Sequence, residues 1–267
     1  VSLGDGVFIG FAAGDFESQR WEVSGDYVIN RLQYRHWLAE HVSGRAAYDP
    51  NTMRLKGSNL TAQLYDGAVS GEFQVNLAAG VQPGYLLKLD CQDVPVIKLL
   101  EARQPIEPQQ QMQGLVSGSL TLQGDFQTPA EPRGRLTAAV VDMKMGRQSL
   151  PGKILTAVQL RQPEEFVFSR MDVAAVIRGA ELILDDVVMV GQPLIFRGKG
   201  RLNLQSRQIT MELTAWNRPP AQEDTFLDRL LRGMGAALWR VEVRGDMKDP
   251  VVQAVFLSVF RPPTGLF

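Results

Sequence analysis

Apolar and polar residues alternate with a period of two along most of this chain. The clearest run is 68–77, where Val69, Gly71, Phe73, Val75 and Leu77 fall on one side and Ser70, Glu72, Gln74 and Asn76 on the other. Successive side chains of a strand point to opposite faces, so the pattern predicts a half-buried strand. Residues 116–126 repeat it, with Leu120, Leu122 and Phe126 opposite Ser117, Ser119, Thr121, Gln123 and Asp125. Further on, Phe196, Leu202 and Leu204 oppose Arg197, Lys199, Arg201 and Asn203. Ile209, Met211 and Leu213 alternate with Thr210, Glu212 and Thr214, and Trp239, Val241 and Val243 with Arg240, Glu242 and Arg244. The same reasoning predicts strands over 20–29, 44–48, 53–64, 85–91, 133–143, 165–177 and 180–190. Short turns such as Tyr65-Asp66-Gly67 and Gln205-Ser206-Arg207 join several of them. One wet face per strand and short connections are the marks of antiparallel hairpins. The expected fold class is all-β, mainly antiparallel.

A ten-residue pattern occurs twice. LTLQGDFQTP at 120–129 and VEVRGDMKDP at 241–250 both run from an alternating strand into Gly-Asp, one large apolar residue, and a Pro. Gly-Asp supplies turn chemistry, and Pro suits the start of a strand, where no ladder donor is needed. The repeat predicts a sheet assembled from one local device used again.

Helix is sparse, with one to three short helices expected. Residues 94–103 and 150–160 are candidates, and a Pro/Gln linker follows the first at 104–113. The third is 224–234, where Leu227, Leu230, Leu231, Met234 and Leu238 recur at helical spacing. Its expected role is to pack on the sheet or cap one end of it.

Composition narrows the function. The chain has 267 residues, 45% hydrophobic and 21% charged, which is enough apolar material for a large core. A formal net charge of -1, with arginines scattered singly along strands, argues against a partner bound through phosphate neutralisation, so no nucleic acid is expected. The single cysteine, Cys91, has no internal disulfide partner and falls on the apolar side of its strand. No stretch approaches eighteen apolar residues, so none predicts a membrane-spanning helix. Starting at Val1 in strand-like sequence, the chain reads as a segment of something longer, with any anchor outside it.

Catalytic and cofactor chemistry is not evident. The two histidines, His36 and His41, have no Cys or carboxylate partner at a metal-site spacing. There is no nucleophile elbow, and Gly198-Lys199-Gly200 lies within a strand instead of opening a helix as a phosphate loop would. The carboxylate pairs Asp185-Asp186 and Glu164-Glu165 sit at apparent turns. A glycosidase-like domain would need a polar cleft holding such a pair. The expectation is a protein that is not an enzyme and carries no cofactor or metal.

A dozen amphipathic strands must still bury their apolar faces. They do so either as two sheets packed face to face, a closed sandwich working through protein contacts, or as one long sheet curled into an apolar trough. A trough suits acyl lipid. At about 0.8 kcal/mol per buried methylene, a chain of roughly sixteen carbons gains on the order of 10 kcal/mol without any directed polar contact. The groove-lining candidates are Val69, Phe73, Val75, Leu77, Leu120, Leu122, Phe126, Leu202, Leu204, Met211, Leu213, Val241 and Val243. Each is equally compatible with ordinary core packing.

Several segments resemble the C-terminal part of the AsmA-like family, relatives of TamB and YhdP. They are the hairpin Leu64-Tyr65-Asp66-Gly67-Ala68-Val69-Ser70-Gly71 and the strand at 85–91 leading into Val94-Pro95-Val96-Ile97-Lys98-Leu99-Leu100. Gln113-Gly114-Leu115-Val116-Ser117-Gly118-Ser119-Leu120, the two Gly-Asp turns and the strand pair at 198–214 complete the set. The resemblance implies an elongated β-groove over 1–267, with N-terminal strands in 1–50 and the family-like region in 51–260. It further implies phospholipid or another acyl lipid as ligand, envelope membrane proteins as further partners, and a periplasmic location in a diderm envelope. Anchoring to the inner membrane would come from a segment not present here. The family offers no catalytic residues to carry over.

Overall fold

The computed structural model describes residues 2–3, 6–15, 20–34, 37–78, 84–101, 112–126, 131–145, 149–158, 167–191, 194–217 and 239–257. Fifteen strands form one antiparallel sheet. They are β1 (Ser2–Leu3), β2 (Gly6–Asp15), β3 (Arg20–Tyr34), β4 (Trp37–Asp49), β5 (Arg54–Leu64), β6 (Gly67–Asn76), β7 (Gly84–Pro95) and β8 (Met112–Asp125). There follow β9 (Arg133–Met145), β10 (Val167–Arg178), β11 (Glu181–Gly191), β12 (Leu194–Asn203), β13 (Gln208–Asn217), β14 (Trp239–Asp246) and β15 (Val251–Phe256). From β3 onward each strand pairs with its neighbours in sequence, a pure meander, while β1 and β2 lie end to end along the free side of β3. The ends of the order do not meet, so the sheet is open. It is one curled sheet, not two packed ones.

Register explains why alternation was so regular. Ala62, Val69, Cys91, Gly118, Ala138, Val173, Val187, Gly198, Leu213, Val241 and Ala254 are successive Cα partners across β5 to β15. Directly opposed residues share a face, so this row is apolar or glycine over eleven consecutive strands. Three residues along, Glu72, Lys88, Thr121 and Arg135 form a polar row on the other face. That outer face carries the ion pairs Lys88–Glu72, Arg197–Asp186 and Arg240–Glu212, all exposed, and the hydroxyl pairs Ser43–Thr61 and Ser119–Thr137.

β-Bulges keep long strands in phase. Within β5 the register slips between Gly57 and Leu60, and Asn59 has φ 52°. The extra residue returns Leu60 to the face of Gly57, which simple alternation would deny it. Asp93 (φ 55°) does the same for Cys91 and Val94, and Asp142 (φ 53°) for Val140 and Met143. A further slip at Asp185-Asp186 joins Leu184 to Val187. The acidic pair therefore sits in a mid-strand bulge and not at the turn the sequence suggested. Asp186 there faces Arg197 with two hydrogen bonds of 2.8 and 3.0 Å. Glu164-Glu165 lies outside the described residues.

Two helices are described, α1 (Val96–Glu101) and α2 (Leu150–Val158); the candidate at 224–234 lies outside the described residues. Ser149 caps α2 by accepting the Gly152 N–H at 3.2 Å, with Pro151 tolerated in the first turn. Although α2 belongs to the β9–β10 connection, it packs on β14 and β15. Five strand spacings separate β9 from β14, about 24 Å in a flat sheet, and α2 is roughly 14 Å long. Only curling brings these elements together. Lys153 on α2 bonds Asp249, in the turn between β14 and β15, at 2.5 Å.

Candidate functional site

The apolar face is continuous, yet its two halves differ in cover. Over β9–β14 it is filled. Ile154, Leu155 and Val158 of α2 join Phe168, Met189, Phe196, Leu213, Val241 and Val243 in one buried cluster, and Phe168 meets Phe196 edge-on at 5.8 Å. Over β5–β8 the same face is half-buried. Val69, Phe73 and Val75 on β6, Leu87, Leu89 and Cys91 on β7, and Leu120 and Leu122 on β8 all remain partly open to solvent. Apart from Gly57 and Gly67, only Val94, at the end adjoining α1, is as buried here as the core of the other half.

The thirteen sequence candidates therefore divide. Val69, Phe73, Val75, Leu120 and Leu122 share the open part of the trough, and Leu202 is half-buried against the filled part. Met211, Leu213, Val241 and Val243 are 0–6% exposed and pack the covered core, so they present no free surface. Leu77, Phe126 and Leu204 lie just past strand ends and are about half exposed. Phe126 follows the first Gly-Asp unit, and its ring meets that of Tyr85 at 5.5 Å, tilted by 45°. The second copy of that unit ends β14 at the corresponding aspartate, Asp246. Gly245 takes φ 108°, Asp246 accepts the Lys248 N–H at 2.8 Å, and Pro250 precedes β15.

Glycine sets the depth of the trough. The ring of Phe73 lies flat over Gly57, where any Cβ would strike it, and that of Tyr85 lies over Gly124. Large side chains thus recline on glycines of the next strand instead of standing up, which leaves a shallow, smooth apolar floor. Tyr27 packs against Gly44 in the same fashion, and its buried hydroxyl has no partner among the described residues. Burial raises its pKa above the ordinary tyrosine value. Burial also pushes the Cys91 thiol up, so it stays protonated and slow to react at neutral pH.

No family model, curated protein or solved structure matches this chain. Among the described residues no cluster of His, Cys, Asp and Glu is placed to hold a metal, and no helix is long and apolar enough to cross a membrane. Shallow depressions of about 320 to 470 Å³ lie on the outer, polar face. One of them gathers Lys199, Arg201 and Arg244 with Asp185, Glu212 and Glu242. Its charges of both signs offset each other, which gives an ordinary solvated sheet surface.

Sequence reasoning missed three things. The strands β2 and β15 were expected only as strand-like sequence at the start and a strand after Pro250, without bounds, because VFIGFAA and VVQAVF run apolar without alternating. The bulges were missed too, although a signal exists in the polar residues that end a three-residue step between two inward apolar positions. Third, nothing in the sequence told which half of the face α2 would cover.

Proposed function

We propose that this protein is a non-enzymatic lipid-binding segment that holds acyl chains on the open half of its apolar sheet face, over β5–β8, and passes lipid along that face. The observation that carries the reading is the unequal cover of one continuous surface. Where α2 lies on it, the face is a packed core; over β5–β8, where α1 covers only the end around Val94 and Val116 and no other described element lies on it, Phe73, Leu87, Leu89, Leu120 and Leu122 form an apolar floor at solvent. An acyl chain laid there gains from burial without needing a directed polar group. The shallow floor set by aromatic rings on glycines suits a thin, flexible chain better than a bulky ring system.

The resemblance to the AsmA-like family supports phospholipid as the ligand, and movement between the two membranes of a diderm envelope as the setting. The test is native mass spectrometry of the purified chain, released gently and then extracted for lipid analysis. Co-purifying phospholipid, lost in a Phe73→Asp variant that keeps its β-sheet circular dichroism, is the expected result. A chain that purifies free of lipid and takes up none from phospholipid micelles would sink the proposal.

A further inference from the structure

The strand β2 is the long free edge of the sheet, and it is apolar on both faces. Val7, Phe8, Ile9 and Phe11 are 56–73% exposed. Phe8 continues the inner face through its partner Tyr27, whereas Val7 and Ile9 oppose Val28 and Asp26 on the outer face. Over β4–β8 that outer face is mostly polar. Between Gly6 and Gly14 there is no charge and no proline, the usual devices that stop an edge from pairing with another strand. The sequence is also self-complementary about Ile9. In an antiparallel pair of two such strands centred there, Ile9 meets Ile9, Val7 meets Phe11, and Phe8 meets Gly10. The last pairing sets the ring of Phe8, which already lies over Gly10 and Gly25 of its own chain, beside the small Gly10 of the partner.

We propose that two copies of this chain pair through β2, antiparallel about a two-fold axis at Ile9, joining their inner faces into one surface. A two-fold contact closes on itself and stops at a dimer. The opposite edge, β15, is also apolar, with Val251 and Val255 about 60% exposed, but it is only six residues long. Pairing β15 with β2 of the next copy would preserve the antiparallel order and yet never close. A single strand pair buries little surface, so the dimer is concentration-dependent and not permanent.

Sedimentation velocity over a roughly hundredfold range of concentration reads this directly. The wild-type chain is expected to pass from monomer to dimer with no larger species. Ile9→Lys and Ile9→Glu, each placing like charges opposite one another, should each weaken the dimer by about a hundredfold or more while circular dichroism is unchanged. Mixed together, the two variants should recover a heterodimer, visible by native mass, because residue 9 meets its own copy. Val255→Lys should change nothing. The proposal is overturned if the wild type stays monomeric, if the mixture fails to pair, or if larger species form that Val255→Lys removes. It is equally overturned if the chain remains monomeric and floats with phosphatidylcholine vesicles through Ile9, for then the edge serves a lipid surface.

Discussion

Thr121 and Leu122 are neighbours on β8 that face opposite ways, and a carboxylate at each separates the groove reading from its rivals. Leu122 lies in the open trough opposite Leu87 and Gly134, whereas Thr121 opposes Lys88 and Arg135 on the outer face. An acyl chain laid over Leu122 covers the part of it still exposed. Leu122→Asp removes roughly half of a leucine's burial, about 1 kcal/mol, and obliges the ligand to desolvate a carboxylate, which costs about 2 kcal/mol or more. The total of about 3 kcal/mol corresponds to a loss of affinity on the order of a hundredfold. Thr121→Asp, between two cations and away from the trough, should leave affinity within about twofold. The assay is titration with a fluorescent phospholipid analogue, with circular dichroism and thermal unfolding as controls for the fold. If both variants bind alike, whether both weakened or both unchanged, lipid does not sit on the inner face of β8 and the argument fails.

Other consequences follow from the same geometry. Cys91 is the only cysteine and lies on the trough floor, so its alkylation should be slow in the free chain and slower by about tenfold when the trough is saturated with phospholipid; unchanged kinetics on adding lipid would place the ligand elsewhere. A Cβ at Gly198 would meet the backbone carbonyl of Glu212, which has no room to move, whereas one at Gly57 meets the swinging ring of Phe73. Gly198→Ala should therefore cost about 1–3 kcal/mol in urea unfolding, and clearly more than Gly57→Ala. Lys153 holds the Asp249 carboxyl below its ordinary pKa of 3.8. A folded pKa below the unfolded one stabilises fully above the unfolded value and is lost as pH falls through the lowered one. Thermal unfolding measured between neutral and strongly acidic pH should show this loss in the wild type and not in Lys153→Met.

Much of the sheet could be read from the chain alone, because a solvated outer face makes each strand announce itself by alternation. The residues 68–77 fall within one residue of β6, while 116–126 and 209–214 mark β8 and β13 but stop four residues short at the start of the one and three at the end of the other; their apolar members share one face as the pattern implied. Alternation fails where both neighbours of a residue are apolar, which is why it set no bounds for β2 and β15, the two edges. It also breaks at each bulge. At Gly57, Cys91, Val140 and Leu184 the next inward residue comes three positions later, and an αL-tolerant or acidic residue, Asn59, Asp93, Asp142 or Asp186, stands just before it. Asparagine and aspartate accept the left-handed conformation better than most residues, so these positions are the punctuation of a long curled strand.

The candidate site was legible only as a face, since period-two patterning states which residues share a side and nothing about what covers that side. Leu213 and Leu122 are indistinguishable by pattern: each is an inward leucine in an alternating strand. Their fates differ because α2, inserted between β9 and β10, reaches over to β14 and β15 and fills one end of the curl, with Lys153 and Asp249 tying it there. A helix of nine residues has reach for only part of an eleven-strand apolar row. The described strands β5–β8 lie beyond that reach, and their inward side chains stay half-buried. The buried cluster thus sits where the helix reaches, and the same face beyond it keeps apolar side chains at solvent among the described residues.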